Sequence, residues 1–390
     1  MPAQGGDLSS ANRSFDVAVV GGGVIGLAIA WRASQRGLRV ILLERDAPGH
    51  GTSWVAAGMI APISEARPTE RPVLALSLAS SRLYPEFASE LREATGRDPG
   101  YLTCGTVEVA RDEDEAQALD RELAMRRSLG LPVRRLLVSE ARRLEPALAP
   151  AIRLALEVPD DHAIDPRRLT EVLAIAATQA GAEVRSGIGV SEVELAGERA
   201  CGVRLADGSA VRAEQVVIAA GVWSVELGLP DAARVPVRPV KGQILTLHDP
   251  SGPGLLTRAL RMEDIGYVVP RGDGRYVLGA TVEERGFDTT VTVGPLFELL
   301  RDAIELLPGL SELVIDELIA GLRPATPDNL PALGPGAVSG LHWATGHYRN
   351  GIALAPITAE IVVGGLLGEQ PSELGSKFSP ARFTRSPVGA

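Results

Sequence analysis

The residues best able to do chemistry come early in the chain. Gly21-Gly22-Gly23-Val24-Ile25-Gly26 contains the spacing Gly21-x-Gly23-x-x-Gly26. In a strand-to-helix turn the first glycine permits the bend, the second lets backbone approach a pyrophosphate, and the third brings helix and strand together. The helix N-terminus then faces the phosphates, so this stretch, Val24 and Ile25 included, reads as their cradle. Glu44 follows 18 residues after Gly26, at the end of an apolar run that continues into Arg45. A carboxylate there accepts hydrogen bonds from an adenosine ribose. Glycine turns of this spacing also occur without a ligand; the strand before it, the helix after it and the acid beyond make this one a dinucleotide site. Gly51 to Pro62 (GTSWVAAGMIAP) is a run of mostly small residues. Such a run lets amides and hydroxyls approach a flat ligand, although its composition alone also suits a close helix contact. A nicotinamide enzyme needs an acid–base group beside its cofactor, and no cluster of His, Cys or Ser offers one. Cys104 and Cys201 lie in unrelated contexts and make no metal motif, so no metal is expected.

Those residues need elements to position them. Residues 15–20 are short, apolar and β-branched, like a buried parallel strand. Residues 24–34 have a helical pattern, and 39–44 form a second buried strand; together they make a βαβ unit. A further helix begins at Asp165-Pro166 and stops at Gly181, before a strand at 182–185. Asp207-Gly208 marks a hairpin turn between strands 200–205 and 210–212. Residues 215–219 are another apolar strand, ending at Ala220-Gly221. Strand 341–344 and helix 357–367, stopped by Gly368, return to the same pattern. Between these pieces, 235–248, 265–271 and 275–282 read as antiparallel strands, and 296–307 as an amphipathic helix. The expected fold class is α/β, a Rossmann-like domain interleaved with an α+β substrate domain built on an antiparallel sheet. The expected boundaries are 14–90, 140–230 and 322–368 for the first, and 91–139 and 231–321 for the second. Residues 1–13 and 369–390 read as tails, the first without the hydrophobic core of a signal peptide.

The chain has 390 residues, enough for two domains. Lys plus Arg is 39 and Asp plus Glu is 49, a formal charge of −10. An acidic surface argues against a nucleic-acid footprint or an anionic-membrane patch, but not against a small anion in a locally basic pocket. Only two cysteines and no apolar run of the roughly 18–20 residues a membrane span needs favour a cytoplasmic location. A homo-oligomer stays open.

Phe15–Glu44, GTSWVAAGMIAP, Gly321-Leu322-Arg323-Pro324 and Gly346-His347-Tyr348-Arg349-Asn350-Gly351-Ile352, in this order, resemble the D-amino acid oxidase superfamily, most of all its glycine oxidases of thiamine biosynthesis. The resemblance runs from about Asp16 to Gly368. It implies noncovalent FAD, with pyrophosphate at Gly21–Gly26 and ribose at Glu44. Thr52, Ser53, Ala57, Gly58 and Met59 would line the flavin, and the backbone of Val190 would touch the adenine side. Gly221 and the 346–352 loop complete the implied cofactor set, and the helix after Gly351 would aim its positive end at the reduced flavin.

For the substrate, the resemblance implies that Arg323, Arg349 and Tyr267 face the carboxylate. Arginine offers the planar, permanently charged fork a carboxylate needs. Val282 stands where related oxidases often carry methionine, which widens the expected range from glycine to sarcosine and other N-substituted glycines. The implied reaction is oxidative deamination to glyoxylate and ammonia or amine, with dioxygen reduced to hydrogen peroxide. His347 reads as flavin packing or, alternatively, as a helper in oxygen reactivity. A sarcosine oxidase, a D-amino acid oxidase or dehydrogenase, and a non-catalytic flavoprotein subunit are the other readings. No cysteine lies between Arg323 and Gly336 to bond the flavin.

Overall fold

The computed structural model describes residues 14–67, 69–262 and 266–383. The expected N-terminal tail and Ile265 lie outside them, as do residues 384–390. Two eight-stranded sheets and one small three-stranded sheet carry the architecture.

The first sheet is built on Phe15–Val20, whose neighbours Val40–Leu43 and Ala210–Ile218 both run parallel to it. Glu183–Arg185 extends one side, and Leu341–Thr345 pairs in parallel with the end of Ala210–Ile218. Ala210–Ile218 is one strand where two were expected: Ala213 and Glu214 carry no turn signal and the ladder runs through them. Its first half pairs antiparallel with Arg199–Leu205, its second half parallel with Phe15–Val20. Helices Val24–Gln35, Arg71–Thr95, Pro166–Gln179 and Ala355–Leu366 share one core with this sheet, around Trp31, Tyr84 and Phe87. The expected boundary at residue 90 falls inside Arg71–Thr95, an uninterrupted helix despite Pro85.

The second sheet runs in the order Val314–Ala325, Arg238–His248, Arg275–Gly279, Gly266–Pro270, Ala259–Met262, Thr106–Ala110, Leu154–Val158 and Arg134–Leu136. It is mixed rather than antiparallel, because Ala259–Met262 pairs parallel with Thr106–Ala110. Leu154–Val158 belongs to this sheet, inside the 140–230 segment expected in the first domain. The strand expected to reach Val282 ends at Gly279. Helix Val293–Leu306 covers the sheet with Leu296, Leu299, Ala303 and Leu306. Residues 369–383, expected as tail, include helix Glu373–Ser376 and a fully buried Phe378, which packs with Val73, Leu76, Leu333 and Leu354.

The third sheet ties the two together. Met59–Ile60, at the end of the small-residue run, pairs with His162–Ile164, which also pairs with Tyr101–Leu102.

Candidate active site

A cavity of about 490 Å³ lies where the first and second sheets meet. At one end is the glycine turn. Gly21 has φ +104°, and a Cβ there would strike the Ala219 carbonyl. A Cβ on Gly26 would land on the Gly21 carbonyl, so Gly26 serves close packing and does not itself line the cavity. Gly23 differs: a Cβ there would meet only Ser53 Oγ, at 3.3 Å, and otherwise open cavity. Gly23 also caps helix Val24–Gln35 with no side-chain hydrogen bond. Of the helix's leading N–H groups, that of Ile25 is therefore left for a ligand.

The neighbouring side chains hold this turn in shape. Glu44 accepts from the Gly22 N–H with one oxygen and from the Asp46 N–H at 2.8 Å with the other. Ser53 Oγ accepts from the Val24 N–H at 3.0 Å. Val190 and Gly221 lie on the same wall, and Arg45 sits 4.8 Å from the centre of the Trp223 ring. The turn, the oriented acid and the open Gly23 fit an adenine dinucleotide. Trp223 was not anticipated: its signal, a tryptophan two residues past a strand-ending glycine, is too common to read alone.

The middle of the cavity is lined by Thr52, Ser53, Ala57, Gly58 and Met59. Gly58, at φ +81°, lies so close to the Ile164 carbonyl that a Cβ would overlap it. Thr52 Oγ1 donates to the Leu322 carbonyl at 2.7 Å, tying this strip to the second sheet beside Arg323. From the other side come His347 to Ile352. Gly346 stands just outside the wall, and its φ of +77° shapes the turn. Tyr348 has φ +50°, a strained value for a residue with a Cβ, and its N–H is held by the Pro324 carbonyl at 2.8 Å. His347 is buried, with Nε2 3.0 Å from Thr358 Oγ1. Burial pushes its pKa down to about 3, so the ring is neutral. Helix Ala355–Leu366 starts two residues ahead of the expected 357, and residues 351–354 before it form a turn, with the Leu354 N–H on the Asn350 carbonyl. The helix end is therefore set back from the loop that lines the cavity.

The far end carries the arginines. The Arg323 guanidinium lies across Gly242, whose hydrogen leaves room that a Cβ would fill. It donates to the carbonyls of Thr281 at 3.1 Å and Lys241 at 3.3 Å. Among the described residues no carboxylate pairs with it. Tyr267 stands over Gly279, its cross-strand neighbour. Burial raises the Tyr267 pKa, against the opposing pull of the Arg323 charge, so the hydroxyl keeps its proton. Arg349 is different. Its guanidinium is held by Glu65 at 3.2 Å and Glu70 at 2.6 Å, which removes it as a free carboxylate ligand. Val282 borders the cavity but is 68% exposed, at the mouth rather than deep against a substrate.

Neither cysteine borders the cavity. Among the described residues no group of three His, Cys, Asp or Glu is placed to hold a metal, and no helix is long and apolar enough to cross a membrane.

Known proteins share this arrangement. The profile of the family described as FAD dependent oxidoreductase matches residues 16–364. The glycine oxidase of Geobacillus kaustophilus is 37% identical over 350 residues, covering 89% of this chain and 92% of that protein. A crystal structure of glycine oxidase from the same organism superposes with a TM-score of 0.87 at 35% identity, covering 97% of this chain and all of the other. The bifunctional protein ThiO/ThiG of Trichormus variabilis is 38% identical over 372 residues; the match takes in 95% of this chain and only 55% of that longer protein. Hydrogen cyanide synthase subunit HcnC of Pseudomonas aeruginosa is 33% identical over 97% of this chain and 98% of its own length. The chain belongs to the FAD-dependent oxidoreductase family of the D-amino acid oxidase and glycine oxidase type, with FAD held noncovalently.

Proposed function

We propose that this chain oxidises small amino acids at the carbon–nitrogen bond, with glycine and N-substituted glycines such as sarcosine as substrates. The products are glyoxylate and ammonia or amine, and dioxygen is reduced to hydrogen peroxide. The observation that carries this reading is Arg323, a cation in the cavity wall without a carboxylate partner among the described residues. A substrate carboxylate supplies the missing charge and takes the guanidinium fork bidentately. Tyr267, protonated, donates a further hydrogen bond to it. Bound FAD supplies the two-electron acceptor. The chain contributes binding and orientation. Glu65 and Glu70, by holding Arg349, are fixed in the wall of the substrate end. A neutral His347 packs and bonds to Thr358 rather than moving a proton. The exposed mouth at Val282 supports tolerance of an N-substituent. Kinship with ThiO/ThiG supports a role in thiamine biosynthesis, in the cytoplasm.

One observation favours a second reading. The similarity to a hydrogen cyanide synthase subunit supports a flavoprotein that works only inside an assembly. Anaerobic mixing of the purified holoprotein with glycine, sarcosine, D-alanine and longer N-alkylglycines separates the two. We expect bleaching of the flavin by glycine and sarcosine, and one peroxide per turnover when air is admitted. No bleaching by any of these amines would remove the oxidase reading and leave the subunit.

A further inference from the structure

We propose that a second cavity, beside the strip that lines the flavin end of the first, is a binding site for a small oxyanion carrying a carboxylate or a phosphate group. This cavity measures about 370 Å³ and shares Ala56 and Ile244 with the first. Its charged wall consists of Arg167, Arg271 and Arg275 against Asp165, Asp316 and Glu317.

The pairing of those charges is uneven. Glu317 holds Arg167. Asp165 takes Arg275 at 3.1 Å, and Asp316 takes the His248 ring at 2.6 Å. Every carboxylate on the wall therefore has its own partner. Arg271 has none. Among the described residues its one acceptor is the Ile164 carbonyl, at 3.1 Å. A guanidinium has five N–H donors, so most of those on Arg271 are unspent. Nε and Nη2 are not sealed away from space, and Arg271 lines the cavity. The burial is nonetheless deep enough to pull its pKa down to about 10, which leaves it charged at neutral pH. A half-buried, charged fork with open donors in a cavity wall is what an oxyanion completes. Trp54, capped by Arg167 at 4.1 Å from its ring centre, gives the cavity an apolar side.

The site also adjoins the flavin strip. The Ile164 carbonyl that accepts from Arg271 is the atom against which Gly58 lies, and the Ile164 N–H donates to the Gly58 carbonyl at 2.8 Å.

Calorimetric titration of the holoprotein with inorganic phosphate and with acetate tests this, in an Arg323→Ala background that removes the open arginine of the first cavity. We expect one binding event that survives Arg323→Ala. Adding Arg271→Gln should weaken it by about 30-fold or more, since one partner of a desolvated charge pair is lost. Neither anion binding to Arg323→Ala, or equal binding with and without Arg271→Gln, would overturn the proposal. If Arg271→Gln does not fold, crystals of the wild-type holoprotein soaked in selenate decide: an anomalous peak beside Arg271 supports the site, and a peak only at Arg323 or nowhere overturns it.

Discussion

Arg323 and Arg349 both border the cavity, and their surroundings give them different work. Arg349 is neutralised by two glutamates, whereas Arg323 has only carbonyl oxygens. The proposed site for the substrate carboxylate is therefore Arg323. Removing one member of a buried charge pair costs on the order of 2–5 kcal/mol, roughly 30- to 4,000-fold in efficiency. We expect Arg323→Ala to lose that much in kcat/KM while retaining its flavin spectrum. Arg323→Lys should recover part of it, because lysine keeps the charge and not the fork. Stopped-flow reduction across substrate concentrations reads both; a wild-type rate and affinity in Arg323→Ala would place the carboxylate elsewhere. The sequence made Arg323 visible through its strand and the proline after it. It did not show Glu65 and Glu70, which sit in a segment without periodicity, so the neutralisation of Arg349 could not be foreseen. Gly242 was not singled out either, although a glycine inside a strand signals the close approach of something, here a guanidinium.

Segment 61–66 shows how an element without regular structure is fixed. Asp161 accepts from the Ile63 N–H at 3.0 Å and the Ser64 N–H at 2.6 Å. Arg126, buried and paired with Glu108 and Glu122, donates to the Ser64 carbonyl at 2.7 Å. Glu65, which holds Arg349, follows directly. Burial lifts the Asp161 carboxyl to about 7 against the pull of those two N–H groups. An unfolded aspartate titrates near pH 3.9. Between about pH 4 and about pH 7 the folded chain therefore keeps a proton that the unfolded chain releases. The associated stability is full below that window and is lost as pH rises through it. We expect the melting temperature of Asp161→Asn to decline less than wild type from about pH 5 to about pH 8. Parallel thermal-melt profiles would refute the coupling. The regular elements were far more legible than this segment. Phe15–Val20, Val24–Gln35 and Pro166–Gln179 follow from apolar period and turn residues, because their own burial fixes them. The parallel pairing of Ala259–Met262 with Thr106–Ala110 joins residues about 150 positions apart, and no local pattern encodes it.

At the scale of the whole molecule, the cavity is the seam between the two large sheets. Thr52 bonds across it to Leu322, and Gly321 presses on Val55. A ligand filling the seam contacts both sides in the folded chain and has no such site in the unfolded one. FAD must therefore stabilise the fold by mass action, about 2.7 kcal/mol at a free concentration one hundred times Kd. We propose that this contribution runs through the glycine turn, where Gly23 opens onto the cavity at the start of helix Val24–Gln35. Gly23 has φ −73°, an ordinary value, so a side chain is conformationally allowed. Its Cβ would point at Ser53 Oγ and open cavity and disturb little of the protein itself. We expect Gly23→Val to fold, to purify colourless, and to melt with apo wild type. Added FAD should raise the melting temperature of the apo wild type and leave that of Gly23→Val unmoved. Equal stabilisation of both proteins by FAD would show that the turn does not hold the pyrophosphate, and the cofactor would then have to lie along the seam in another direction.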